Sequence, residues 1–520
     1  MHISTPVPIK RIAAIDLGTN SFHAIIVDLF SDGSFRQVDD LKEMVQLAKG
    51  GLGKQLTPSA INRGMNALKN IKTLSESYGA EEIIAYATSA IREAENGGDF
   101  IQRSIDELDI KINAIPGSME AELIGYAVQH GIRLDEKPVL MVDIGGGSVE
   151  FIVGNKTDFF WLTSKKIGVS RMADIFKPSD PISQADIEEL EQHYLEELAG
   201  VRKALSDHPT QTMIGSSGTM QNIALMIAEQ EGKPVNGSLN ELEFTKKEYK
   251  RFYNRFIGLS QKERLHVPGL DEKRVGFINT GVVLVHVLFR VFEMERVRIS
   301  TQALREGIII RYLRKDMIGL PLKGMYADPR KRSVFELLRK CDWHEEHSSH
   351  VAKLSLILFD ALREHLSLID VDRELLEYAA LMHDIGYHIS HSAHHKHALY
   401  IIRNAELKGF KQDEIEIMAH VARYHRRSTP KQRHEEYWKL APKVRSRIKK
   451  LSGILRIADG LDRSHYQNVQ DLRVEIGEKT IQLHIQTESD PALEIWGAMR
   501  KSFLLKEVTG KKIKINMLHT

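Results

Sequence analysis

Two stretches of this chain, 127 residues apart, are the same unit. IAAIDLGTNSFHAIIV (12–27) lies without a gap on VLMVDIGGGSVEFIVG (139–154), pairing Asp16 with Asp143, Gly18 with Gly145 and Ser21 with Ser148. In each, an apolar run ends at an Asp, passes through a glycine turn and leaves as a second apolar run. That pattern reads as two buried strands around a tight turn. Glycines let the backbone approach a ligand, and consecutive turn amides cradle an anion. Asp143, where its first strand ends, is placed to meet a metal ion. One Asp-x-Gly hairpin constrains little; two in register predict related half-molecules facing one cleft, each offering a phosphate loop.

The remaining composition narrows the class. At 520 residues, 42% hydrophobic and 27% charged, the chain is expected to form three or four globular domains. No apolar run is long enough to span a bilayer, and MHISTPVPIKR at the N-terminus lacks the apolar core of a secretory signal, so a cytoplasmic protein is expected. The single cysteine, Cys341, excludes an internal disulfide and a cysteine-rich zinc site. Net charge is only +2, but residues 423–450 carry eleven Lys or Arg against two Glu. This run reads two ways, as a solvated helix face or as a polyanion-binding surface that includes Arg423, Arg426 and Arg427.

Along the chain, KGGLGK (49–54) lacks the ending of a P-loop and reads as a turn. A helix is expected over 59–78 and a buried strand over 83–87, after which Arg92 is either a surface arginine or a cleft arginine that grips phosphate. A strand at 110–115 leads to a helix from about 117 to 130. Glu120 falls in its first turn, as a capping acid or as a carboxylate that orients a water. Strands are expected at 157–162 and 165–169, and a charged helix at 183–206. TMIGSSGTMQNIAL (212–225) is strand, glycine turn and helix, a third anion site. A buried helix within 266–292, a strand at 297–301 and a helix at 302–314 close this half. Residues 316–333 are polar and irregular. Twelve of the 23 histidines then fall in 344–425, within helices expected at 334–341, 345–366, 372–384, 395–407, 411–425 and 443–465. The last fifty residues alternate like a small sheet with one helix at about 491–507.

Two Asp-x-Gly hairpins and a third glycine loop resemble the actin-like, sugar-kinase and heat-shock ATPase superfamily. The finer match is IDLGTNS (15–21), ATSAIREAEN (87–96), PGSMEAELI (116–124), VDIGGGSVE (142–150), IGSSGT (214–219), VPGL (267–270) and LREG (304–307). In that order they resemble the exopolyphosphatase/guanosine pentaphosphate phosphohydrolase family. The resemblance implies an α/β fold: two actin-like (ribonuclease H-like) domains at 1–135 and 136–315, a helical HD-like domain at 325–465 and a small α+β domain at 466–520. It makes Glu120 the catalytic base and Asp143 and Glu150 the carboxylates for Mg²⁺ or Mn²⁺. Asn20, Ser21, Arg92, Gly145, Gly146, Gly147, Ser148, Ser217, Gly218 and Thr219 would grip phosphates.

The histidine-rich region resembles the HD superfamily of metal phosphohydrolases, through HSSHVA at 347–352, His383-Asp384 and Asp459 in LRIADGLD. Long members of the exopolyphosphatase family often lose part of this set. Here it is intact, so His347, His383, Asp384 and Asp459 are candidates for a second divalent metal, and His394, His420 and His425 for its extension to two ions. The other reading leaves these histidines as scaffold or as cations for polyphosphate.

The expected activity is removal of terminal phosphate from inorganic polyphosphate, with guanosine pentaphosphate as a second or even main substrate. The alternatives are an actin-like kinase or ATPase, which needs an adenosine pocket, and a nucleotide or polyphosphate sensor without turnover. A homodimer is expected from the helical second half; no nucleic acid or membrane partner is.

Overall fold

The computed structural model describes residues 7–31, 33–47, 55–233, 235, 238–315, 328–341 and 343–518. The glycine-rich turn expected at 49–54 and most of the irregular stretch 316–333 lie outside them. The chain forms two compact units, Met1–Pro329 and Arg330–Thr520.

The apolar runs of the repeat build the first unit as two sheets of the same design. β1 (Lys10–Leu17), β2 (Ser21–Leu29), β3 (Phe35–Met44), β4 (Glu82–Ala87) and β5 (Ile112–Ala114) order as β3-β2-β1-β4-β5. β6 (Val139–Ile144), β7 (Val149–Gly154), β8 (Phe159–Lys165), β9 (Thr212–Ser216), β10 (Glu243–Thr245) and β11 (Arg296–Ile299) order as β10-β11-β9-β6-β7-β8. In both, three antiparallel strands are followed by parallel partners, so β1 corresponds to β6, β2 to β7 and β4 to β9. Both hairpins close alike: Gly18 N–H donates to Ser21 O at 3.1 Å and Gly145 N–H to Ser148 O at 3.0 Å. This is the two-half α/β architecture that the repeat predicts.

The halves share apolar packing. Ile12 and Ala14 of β1, Leu123 and Ile124 of the helix Gly117–Gly131, Met141, Ile152, and Ile308 and Ile309 of the helix Leu304–Lys315 form one buried cluster. Each full-size aliphatic side chain in it contributes about 2 kcal/mol. The two helices approach so closely that a Cβ at Gly307 would overlap the carbonyl of Leu123. This fixes the helix that carries Glu120 against β7 and β8 of the second sheet.

In the second unit the helices Pro329–Lys340, Glu345–Leu362, Asp370–Leu381, His394–Asn404, Gln412–Arg423 and Pro442–Gly460 pack around one core. The terminal sheet, β12 (Val469–Ile476), β13 (Thr480–Thr487) and β14 (Lys512–Met517), adds Val469, Leu483 and Ile513 to that same core. This small sheet packs its apolar face on the helices, being too small to bury that face alone.

Local differences from the sequence expectations have local causes. One strand, β8, replaces the pieces expected at 157–162 and 165–169, and Val169 opens a helix, Val169–Phe176. The charged helix breaks at Leu198 into Gln184–Glu197 and Ala199–Asp207, with Gly200 just beyond the break. The last helix divides at Ser502. β3, β10 and β14 escaped notice because they are edge strands, polar or short.

Candidate active site

Register brings the repeat's polar ends together. Asp143 stands opposite Glu150 across β7 and opposite Ser216 across β9, while Asp16 stands opposite His23 across β2. A cavity of about 250 Å³ opens at these strand ends, lined by Asp16, Glu120, Asp143 and Glu150 and by both hairpin loops. Asn20, Ser21, Gly145, Gly146, Gly147 and Ser148 line it, as do Ser217, Gly218 and Thr219. The first loop is braced from the opposite half and the second from its own. Asn20 Nδ2 donates to Ser170 Oγ at 3.1 Å, and Arg171 Nε donates to Gly147 O at 2.7 Å. Arg171 is paired in turn with Glu93 at 3.1 Å. A Cβ at Gly147 would overlap Ser89 Oγ, so this position requires glycine for close approach. Ser217 takes a left-handed φ of +80° as it opens the helix Ser217–Gln230, and its hydroxyl donates to Ile144 O at 2.9 Å. That helix turns its unpaired first-turn amides and the positive end of its dipole to the cavity, a ready anion site.

Four carboxyls face this small space. Burial raises Asp16 to about 7, helped by the Glu120 carboxylate and opposed by Arg305. Burial raises Glu120 to about 7 against the pull of Arg92. Asp143 rises to about 6 by burial, although Ser216 donates to its Oδ2 at 2.5 Å. Glu150 rises well above the usual carboxylate range by burial and by the charges of Glu120 and Asp143, while Ser164 donates to its Oε1 at 2.7 Å. Asp16 Oδ1 is buried without a hydrogen-bond partner. Crowded, desolvated carboxylates and an orphaned oxygen fit a divalent cation. Among the described residues, no three ligand atoms here lie within 4.8 Å of one another. A hard divalent ion requires no more than one or two carboxylates from a protein.

Lys42, Arg274 and Arg305 complete the wall as cations, together with the imidazole of His23. Arg274 packs on Gly218 and donates to Thr219 Oγ1 at 3.3 Å. Arg305 contacts the ring of His23, whose pKa burial and that guanidinium lower to about 3, so His23 is neutral. The sequence reading named none of these four, nor Asp16, as site residues. The repeat held the signal for two: it aligns Asp16 with Asp143 and His23 with Glu150. Arg305 lies in the LREG motif, but nothing local turns it to the cleft.

Arg92 takes another place. It does not line the cavity; its NH1 donates to Ile115 O at 2.8 Å and to Glu120 Oε2 at 2.9 Å. It holds Glu120 from behind.

The remaining candidates lie in the second unit. His347, His383 and Asp459 converge, and Asp384 converges with His394 and His425, so the four residues expected around one ion divide between two groups. His420 joins neither; its Nε2 lies 3.4 Å from Glu416 Oε2. The basic run 423–450 is not one helix face, because Pro430 and Pro442 break it into a helix end, a short helix Glu435–Trp438 and the helix Pro442–Gly460. Arg423 packs over the Tyr424 ring at 5.5 Å, Arg426 NH1 reaches His394 Nε2 at 3.0 Å, and Arg427 is exposed.

No helix among the described residues is long and apolar enough to cross a membrane. Comparison with known proteins agrees with the motifs. An exopolyphosphatase from Cytophaga hutchinsonii is 30% identical, with a TM-score of 0.56 over 60% of this chain and 99% of that one. The Aquifex aeolicus member of the Ppx/GppA family is 25% identical, with a TM-score of 0.53 over 60% of this chain and 100% of that one. Residues 330–494 match domain III of the Ppx/GppA phosphatases, and residues 26–316 match the Ppx/GppA phosphatase family itself. On this match over more than half its length, the chain belongs to the Ppx/GppA phosphatase family.

Proposed function

We propose that the cleft hydrolyses the terminal phosphoanhydride of inorganic polyphosphate, with guanosine pentaphosphate as a second substrate cleaved to the tetraphosphate. One observation carries this reading: a buried carboxyl, Glu120, with a pKa near neutrality, is clamped by Arg92 beside two phosphate loops and a helix N-terminus. A general base poised near the working pH is the tuning that water activation needs.

In this mechanism Glu120 accepts a proton from a water as the water oxygen bonds to the terminal phosphorus. The bridging P–O bond breaks in line, and the shortened chain leaves with its electrons on oxygen. Charge on the three equatorial oxygens is met by the amides of the Gly145–Ser148 loop, the hydroxyls of Ser21 and Thr219, and the helix N-terminus. Arg274, Arg305 and Lys42 take the following phosphates, and Arg92 keeps Glu120 aimed. Asp143 and Glu150, with Asp16 beside them, would hold Mg²⁺ or Mn²⁺, which supplies positive charge to the phosphoryl oxygens when bound.

Size and chemistry of the lining favour polyphosphate as the main substrate. A cavity of about 250 Å³ is below the usual range for whole small-molecule ligands, about 300–1,000 Å³, and suits a few phosphates. Among the described lining residues there is no Phe, Tyr or Trp on which a purine would stack. The test is phosphate release from long-chain polyphosphate with Mg²⁺ in ¹⁸O-labelled water, beside guanosine pentaphosphate and ATP. Release of phosphate carrying one solvent oxygen, faster from polyphosphate, is expected. Turnover of ATP alone would overturn the assignment in favour of an ATPase.

A further inference from the structure

Glu93 lies just past the one-turn helix Ser89–Arg92, outside the cavity lining, and three cations converge on it. Arg171 NH2 reaches both of its oxygens, Oε1 at 3.2 Å and Oε2 at 3.1 Å. Lys166 Nζ lies 3.0 Å from Oε2, and Arg92 NH2 lies 4.0 Å from Oε1. The side chains of Glu93 and Arg171 are only 10% and 9% exposed, whereas that of Lys166 is 69% exposed. Glu93 and Arg171 therefore form a nearly dry ion pair, while water screens the contact with Lys166.

Each arginine has a second contact, and both lead into the cleft. Arg171 Nε donates to Gly147 O at 2.7 Å, and Arg92 NH1 donates to Glu120 Oε2 at 2.9 Å. A chain of polar contacts thus runs Gly147–Arg171–Glu93–Arg92–Glu120, from the phosphate loop to the carboxyl that activates water. It crosses between the halves, because Glu93 follows β4 of the first sheet and Arg171 follows β8 of the second. The rest of the loop hangs on the start of the helix that carries Arg171. Val169 N–H donates to Gly145 O at 3.0 Å, and the N–H groups of Ser170 and Arg171 donate to Gly146 O at 2.9 and 3.0 Å. A Cβ at Gly168 would overlap Gly146. Whatever holds Arg171 therefore holds the loop.

Charge explains why the link is an acid. Gly147 O is a neutral acceptor and cannot balance a guanidinium held away from water. Glu93 supplies that counter-charge, which lets Arg171 stay on the carbonyl. Without it the guanidinium would turn to water or to another anion, and Gly147 O would lose its donor. Arg92 is held between two carboxylates: its NH1 belongs to Glu120 and its NH2 faces Glu93, so the pair sets the orientation of its planar head.

We propose that Glu93 is a positioning residue for the hydrolysis: it ties the Gly145–Ser148 loop, through Arg171, and the base Glu120, through Arg92, into one frame across the two halves. This rests on the cleft being the site of phosphoanhydride hydrolysis. In-line attack needs the water oxygen and the phosphorus about 3–3.5 Å apart and aligned, and a misplacement of about 1 Å costs about 10²-fold in rate. Glu120 holds the water and the loop holds the phosphoryl group, so independent drift of either spoils that geometry. Arg274, Arg305 and Lys42, which take the following phosphates, stand outside this chain of contacts. Glu93 therefore acts on the transition state and leaves ground-state binding of the polymer nearly unchanged.

The test is steady-state hydrolysis of long-chain polyphosphate with Mg²⁺ by the full chain, with orthovanadate as inhibitor, because its trigonal-bipyramidal form mimics the in-line transition state. Glu93→Gln keeps the shape and removes the charge. Its kcat should fall by about 10²-fold and its inhibition constant for orthovanadate rise by about the same factor, while KM stays within about twofold. Glu93→Asp, which restores the charge on a shorter stem, should recover part of the lost kcat. Neither KM nor the inhibition constant depends on how many chains are folded. A lower kcat with an unchanged inhibition constant would therefore mean fewer folded chains and overturn the positioning role. A raised KM with kcat kept would overturn it as well, in favour of a role in binding. Should Glu93→Gln fail to fold, Arg171→Lys decides, since an ammonium keeps the charge but lacks the fork that spans Glu93 and Gly147 O; parent values of kcat and inhibition constant would overturn the proposal. Glu120→Gln, run alongside, keeps the two readings apart. If it is as active as the parent, the cleft assignment fails and takes the role of Glu93 with it; if it is inactive while Glu93→Gln is fully active, Glu93 alone is overturned.

Discussion

Replacing Glu120 by Gln should weaken catalysis and strengthen the fold, and the second effect has a pH signature. Burial raises the Glu120 carboxyl from 4.5 to about 7. With the folded-state pKa above the unfolded one, its contribution to stability is fully present below about pH 4.5 and is lost as pH rises through 7. At 1.36 kcal/mol per pKa unit, holding this charge at pH 8 costs about 3 kcal/mol, against less than about 1 kcal/mol at pH 5. Gln keeps an oxygen for Arg92 and carries no charge. The metal-free variant should therefore exceed the parent in stability by up to about 3 kcal/mol at pH 8, and barely at pH 5. Urea titration read by hydrogen exchange in peptides covering 117–131 measures this locally, without assuming that a two-unit protein unfolds in one step. Saturating Mg²⁺ should shrink the difference, because the cation stabilises the ionised parent. A stability difference that is the same at pH 5 and pH 8 would refute the reasoning, since Glu120 would then be ionised at no penalty.

The same carboxyl sets the pH–rate profile: kcat/KM for polyphosphate should rise between pH 6 and 8 as Glu120 loses its proton, and a flat profile over that range would count against it as base. Gly147→Ala drives a Cβ into Ser89 Oγ and displaces the phosphate loop; steady-state kinetics should show a loss on the order of 10²-fold, with little change in unfolding temperature. Gly307→Ala does the opposite, because its overlap with Leu123 O lies in the helix interface. It should destabilise the first unit by about 1–3 kcal/mol in urea titration.

How much of this was legible in sequence depends on range. The repeat carried the strand–turn–strand units, their pairing and the strand-end position of Asp16 and Asp143, because alternating burial and glycine turns are local signals. It also held His23 opposite Glu150 by alignment, though only the paired sheets show that both stand beside an Asp. Arg274 and Arg305 were out of reach as site residues: each meets the cleft through contacts distant in sequence, Arg274 on Thr219 and Arg305 on His23. Arg92 shows the converse. Its motif marks the residue, but its hydrogen bond to Glu120 depends on the helix Gly117–Gly131 packing beside it. In the second unit the ligand types were readable, whereas their division into two groups rests on how helices converge, which places Asp384 between them and turns His420 to Glu416.

The most direct test of the central claim is phosphate release from long-chain polyphosphate by three proteins side by side: the parent, Glu120→Gln and His383→Ala. If the cleft is the site of hydrolysis, Glu120→Gln falls by about 10²–10⁴-fold while His383→Ala keeps the parent's rate. The reverse outcome, with Glu120→Gln fully active and His383→Ala inactive, would move the chemistry to the helical unit and contradict the account.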